Sequence, residues 1–129
     1  MTVQALRERH LREPWPRQLG NLASTLARLS SRSEDPRHDA LTTLLLREAA
    51  HLIDWSAPHV APDHLVELAA AQRELCLWAM VWPLHEARPL LALRARTLSD
   101  CLLEVAGFVP PTDGSSAETR PRTPTRAGS

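Results

Sequence analysis

The chain has 129 residues, 43% of them hydrophobic, with two cysteines, no tyrosine and a formal net charge of zero. That length suits one domain whose core needs no disulfide or zinc staple. The neutral balance leaves no overall basic field to draw nucleic acid.

All 15 basic residues are arginine, which reads first as a compositional bias of the coding sequence. Charge is segregated locally: residues 1–38 carry seven Arg against four acids, 39–87 two against seven, and 88–129 six against four. The preferred reading is that basic and acidic parts attract each other within one fold. The alternative is a bipolar surface for a charged partner. The N-terminus has no apolar run of the secretory type, and the densest apolar stretch is shorter than the about 20 residues that span a bilayer. The expected location is therefore the cytoplasm.

Residues 3–13 form a short Arg-rich helix with Val3, Leu6 and Leu11 as its apolar anchors. Pro14-Trp15-Pro16 ends it and starts the next, with Pro16 suited to a first turn. The second helix is expected from about Arg17 to Ser31. Leu19, Leu22, Leu26 and Leu29 make one stripe, and Gly20, Ala23, Ala27 and Ser30 make a second stripe of small residues beside it. Small residues allow a neighbouring backbone to come close, so a tight helix pair is expected there; the alternative is a docking groove for a partner helix.

Asp35-Pro36 is a start signal, Asp as N-cap and Pro in the first turn. The third helix then runs to about Trp55, with Leu41, Leu44, Leu45, Ala49, Leu52 and Trp55 as its core face. The fourth spans roughly Pro62 to Trp82, with Leu65, Leu68, Ala69, Leu75, Cys76 and Ala79 on one side. Its last two turns are apolar all round, because Trp78 and Val81 continue the line of Glu67 and Glu74. A helix of that kind is covered on every side, which marks it as the central element. Pro83 stops it. The fifth helix starts at Pro89, repeats Leu91, Ala95, Leu98, Leu102 and Val105, and stops at Gly107. From Pro110 the composition turns to Pro, Thr, Ser, Gly and Arg, which predicts a disordered tail.

No alternating strand pattern of useful length occurs. The expectation is an all-α bundle of four to five helices over residues 1–109, followed by a disordered tail over 110–129. Cys76 and Cys101 are expected as two reduced, buried thiols on apolar faces.

The sharpest chemical pattern is Glu48-Ala-Ala-His51, because Glu-x-x-His on a helix can place both side chains on one metal. With Gln72 these form a polar core cluster on the helical projection. A di-iron site needs a second such motif and further inward carboxylates, and Glu67, Glu74, Asp100 and Glu104 all project outward on that projection. The preferred reading is a satisfied polar network of Glu48 with Gln72, with Arg94 as a further partner. His59, His64 and His85 match no zinc spacing. No phosphate loop, Gly-x-Ser-x-Gly or His-Glu-x-x-His occurs, and no nucleophile has an evident activator. No catalytic, metal or cofactor set is therefore expected, and the chain reads as a non-enzyme.

The expected function is a protein–protein interaction module, an adaptor, assembly factor or regulatory subunit, whose partner is another protein or a second copy in a homodimer. Trp78, Val81, Trp82, Gly20 and Ala27 are the candidate contact residues. One alternative is a metal or small-ligand binder using Glu48, His51 and Gln72. Another is nucleic-acid association through Arg7, Arg9, Arg12 and Arg17 with Arg120, Arg122 and Arg126; Glu8 and Glu13 interrupt the first set, which weighs against it.

Overall fold

The computed structural model describes residues 2–108. Five α-helices run through them: α1 Val3–Leu11, α2 Trp15–Arg32, α3 Asp39–Ser56, α4 Leu65–Val81 and α5 Arg88–Ala106. Short 3₁₀ turns at Pro36–His38, Ala57–His59, Pro62–His64 and His85–Ala87 join them. No strand occurs among the described residues, so the described chain is the expected all-α bundle. The tail expected from residue 110 lies outside the described residues.

The boundaries follow local chemistry. The Thr2 hydroxyl accepts the Ala5 N–H at 3.0 Å and caps α1. Asp35 accepts the Arg37 N–H and Pro36 occupies the first turn after it. Trp82 is extended ahead of Pro83, which closes α4. Gly107 takes the left-handed conformation (φ +85°) after α5, and the N–H groups of Gly107 and Phe108 bond the carbonyls of Glu104 and Leu103. Only glycine enters that conformation without steric cost.

The helices pack in the spatial order α4–α3–α2–α5, with α1 lying on α3. The inner helices are thus α2 and α3, and α4 stands at one end. Leu19, Leu22, Leu26 and Leu29 of α2 are fully buried, each contributing about 1.5–3 kcal/mol. Helix α4 buries only Leu68, Ala71 and Leu75 along its length and leaves Leu65, Val66, Leu77, Met80 and Val81 exposed. Its apolar circumference marked it as central, but α3 is the only long helix that covers it. A helix at the end of the row covers one sector, whatever its composition.

The small-residue stripe of α2 is where α5 closes in. Ala23 and Ser30 are buried. The Ser30 hydroxyl donates to the Ala92 carbonyl at 2.7 Å, and the Ser99 hydroxyl donates back to the Ala23 carbonyl at 2.8 Å. Side chains this short let each helix reach the other's backbone directly.

Two further expectations change. On α3, Leu44 is 62% exposed, while Leu46 and Ile53 join the core. Helix α3 has α2 on one side and α4 on the other, which widens its buried sector and rotates it from the predicted stripe. Cys76 and Cys101 are both exposed free thiols, because each stands at the edge of an open concavity, beside α3 and in the α4/α5 groove respectively, instead of inside the core.

One end of the bundle is tied by a network that local sequence does not announce. Arg88 is buried and makes two hydrogen bonds to Asp39, at 2.7 and 2.9 Å. It also donates to the Ser33 carbonyl at 3.1 Å, and its guanidinium lies 5.2 Å from the Trp82 ring centroid. The α2–α3 and α4–α5 connections meet at this one side chain. The Arg88 guanidinium holds the Asp39 carboxyl below its ordinary range.

Candidate functional site

Because α4 and α5 stand at opposite ends of the row, neither packs closely against a second long helix among the described residues. They face each other across a groove of about 310 Å³. Its floor is Leu19, Leu68, Ala71, Leu98, Leu102 and Val105, and its rims include Glu67, Ala70 and Glu74 on α4 with Arg94, Thr97 and Cys101 on α5. An apolar concavity of this size with a few polar groups at its edge is the usual form of a binding site.

One ion pair spans the gap. Arg94 donates to both Glu74 oxygens, at 3.0 and 2.8 Å, and the Trp78 indole N–H donates to the same carboxylate at 3.2 Å. Arg94 is the larger cause, and Trp78 a smaller one, of a Glu74 carboxyl held below its usual range.

The two ends of the groove differ. Toward the start of α4, the Cys101 thiol is pushed up by burial first, then by the carboxylates of Glu104, Glu67 and Asp100. That end is acidic. Toward the α4–α5 connection the rims become apolar. Helical spacing carries the line of Ala70 and Glu74 on to Leu77 and Val81, and the line of Cys101, Thr97 and Arg94 back to Leu90. Leu77, Val81 and Leu90 are all exposed.

The sequence-derived contact residues scatter over this geometry. Val81 is 49% exposed on the α4 rim. Trp78 is half-buried beneath it, edge-on to Trp82 at 6.2 Å, and Trp82 itself is in the core. Gly20 lies under Phe108, where an added Cβ would come within 2.8 Å of the ring edge. Ala27 is exposed on α2.

The polar trio does not converge. Glu48 accepts the Thr25 hydroxyl at 3.1 Å, Gln72 donates to the Ala50 carbonyl at 3.2 Å, and His51 stacks on Trp55 at 5.3 Å. The Glu48–Gln72–Arg94 network is replaced by three separate arrangements, since Arg94 is taken by Glu74. Among the described residues no group of three or more His, Cys, Asp or Glu is placed to hold a metal ion, and no helix is long and apolar enough to cross a membrane.

One constellation escaped sequence reasoning. His10 and Ser56, 46 positions apart, hydrogen-bond at 2.8 Å through Nε2 and Oγ. This resembles a nucleophile–base pair, but Ser56 is 0% exposed. A hydroxyl sealed from solvent meets no substrate, so the pair anchors α1 instead. No periodicity could have found it; the only cue is a histidine beside Leu6 and Leu11 on a helix otherwise rich in arginine.

The described geometry therefore offers an open apolar groove with a charged rim between α4 and α5, larger than the apolar concavity of about 240 Å³ between α3 and α4. Compared with known proteins, the chain matches no family model, no curated protein and no solved structure.

Proposed function

We propose that the protein is a helix-receiving interaction module, and that its occupant is an amphipathic helix of a partner protein carrying basic residues. The observation that carries this reading is the apolar α4/α5 groove, whose rims lead by helical spacing to exposed Leu77, Val81 and Leu90. A helix laid along the gap would complete the packing that α4 and α5 lack. Its apolar positions would enter the floor. Its basic positions would meet Glu67 on the α4 rim, with Asp100 close by on α5, which supplies orientation as well as attraction.

The test uses two model peptides, a leucine–lysine amphipathic helix and its leucine–glutamate counterpart, titrated against the intact chain. The lysine peptide is expected to bind at least tenfold more tightly. Ala70→Trp, which fills the groove from an exposed rim position, and Glu67→Arg, which reverses an exposed charge, should each weaken it tenfold while leaving the melting temperature unchanged. Equal binding of both peptides, or indifference to Ala70→Trp, refutes the reading.

A further inference from the structure

A second concavity lies on the other side of the bundle, between α1, α2 and α3. It is an open cleft of about 340 Å³, more polar than the groove, with Leu6 and Leu52 among its lining. Arg9, Arg17 and Arg28 line it together with Glu13 and Glu48. Among the described residues none of the three arginines makes an ion pair or side-chain hydrogen bond with another. The chain's other described arginines at well-formed contacts, Arg37, Arg88 and Arg94, each have a carboxylate. Three unpartnered guanidiniums around one cleft hold binding capacity that the fold does not use.

Their order along the cleft is informative. Arg17, Asn21, Ser24 and Arg28 follow one face of α2 at spacings of four, three and four, and all line the cleft. Arg17 and Arg28 are thus about 16 Å apart along the axis, with an amide and a hydroxyl between them. Arg9 of α1 joins Arg17 at the α1–α2 corner. Two guanidinium forks there offer more N–H donors than one carboxylate has lone pairs, and they match the three oxygens of a phosphate. Arg28 and Glu48 also line the cleft; the Glu48 carboxylate accepts the Thr25 hydroxyl and has acceptor capacity left for a ligand hydroxyl.

We propose that this cleft binds a small phosphorylated polyol or sugar that carries a second anionic group at its far end. The phosphate sits between Arg9 and Arg17, the second anion meets Arg28, and hydroxyls between them meet Asn21, Ser24 and Glu48. The site is independent of the α4/α5 groove and stands whether or not that groove takes a helix.

Isothermal titration calorimetry with fructose 1,6-bisphosphate, fructose 6-phosphate and a single-stranded oligonucleotide tests the assignment. The bisphosphate is expected to bind at least tenfold more tightly than the monophosphate. Arg28→Ala should erase that advantage, and Arg28→Lys should keep part of it. Arg9→Ala should weaken both sugars, and Arg73→Ala on α4 should change neither. All three positions are exposed, so the four variants are expected to fold, which circular dichroism checks. Absence of bisphosphate binding, equal affinity for the two sugars, indifference to Arg28→Ala, or tighter binding of the oligonucleotide each overturns the proposal.

Discussion

Removing the His10 imidazole should release α1. With nine residues, α1 is shorter than the about 12–15 that sustain an isolated helix in water, so it exists by virtue of docking. Leu6 and Leu11 are only half-buried, whereas His10 is 3% exposed and bonded to a fully buried hydroxyl. His10→Ala leaves Ser56 Oγ without that partner, at about 1–3 kcal/mol. Lost ring packing against Trp55, 6.1 Å away between centroids, adds about 1 kcal/mol. The docking free energy of α1 should fall by about 2–4 kcal/mol, read as faster hydrogen exchange of the α1 amides at pH 8.

Acid should do part of the same work in the wild type. Burial lowers the His10 pKa below 6.5, His59 adds to the shift, and Glu13 partly offsets it. Above pH 6.5 the ring is neutral whether docked or free, and stability is flat. Below it, the undocked helix takes the proton first. Docking then weakens by up to about 1.4 kcal/mol per pH unit until the lowered pKa is reached. His10→Ala should lack this slope. Equal α1 exchange in the two proteins, or a wild-type α1 equally protected at pH 7.5 and pH 5, refutes the reasoning.

Two contrasts on other helices follow. Val81→Asp, at an exposed rim position, should shift the unfolding midpoint by no more than about 0.5 kcal/mol, while Trp82→Ala, in the core, should cost about 3–5 kcal/mol; urea denaturation separates them. Gly20→Ala should be neutral or stabilise by up to about 1 kcal/mol, because alanine favours the helix and the opposing contact is the ring edge of Phe108, 52% exposed at the end of α5. A loss beyond about 1 kcal/mol in thermal unfolding would mean the Phe108 cover is rigid.

The elements with a local cause were legible in the sequence. Pro89 and Gly107 bracket α5, Asp35-Pro36 opens the α3 segment, and Pro83 closes α4. The paired stripes of α2 foretold both its leucine core and its close α5 neighbour. What depends on spatial order was not legible. Nothing in the periodicity of α4 says that it stands at the end of a row, so its wealth of apolar residues read as centrality. The groove follows from that same order. An overlooked cue is Leu90 and Leu93 on the wet side of α5, which are exposed in the fold. Glu74 projects outward on a helical wheel, yet Arg94 from 20 positions away holds it half-buried. The pairing of His10 with Ser56 likewise rests on the α1–α3 contact alone.

The most direct test of helix docking is a backbone amide chemical-shift map of the isotope-labelled chain titrated with the leucine–lysine peptide. Docking in the α4/α5 groove predicts that the largest shifts fall on Leu68, Ala71, Leu98, Cys101 and Val105, with Leu77 and Leu90 following. Shifts centred on α1 and the outer face of α2, or no shifts at saturating peptide, would contradict it.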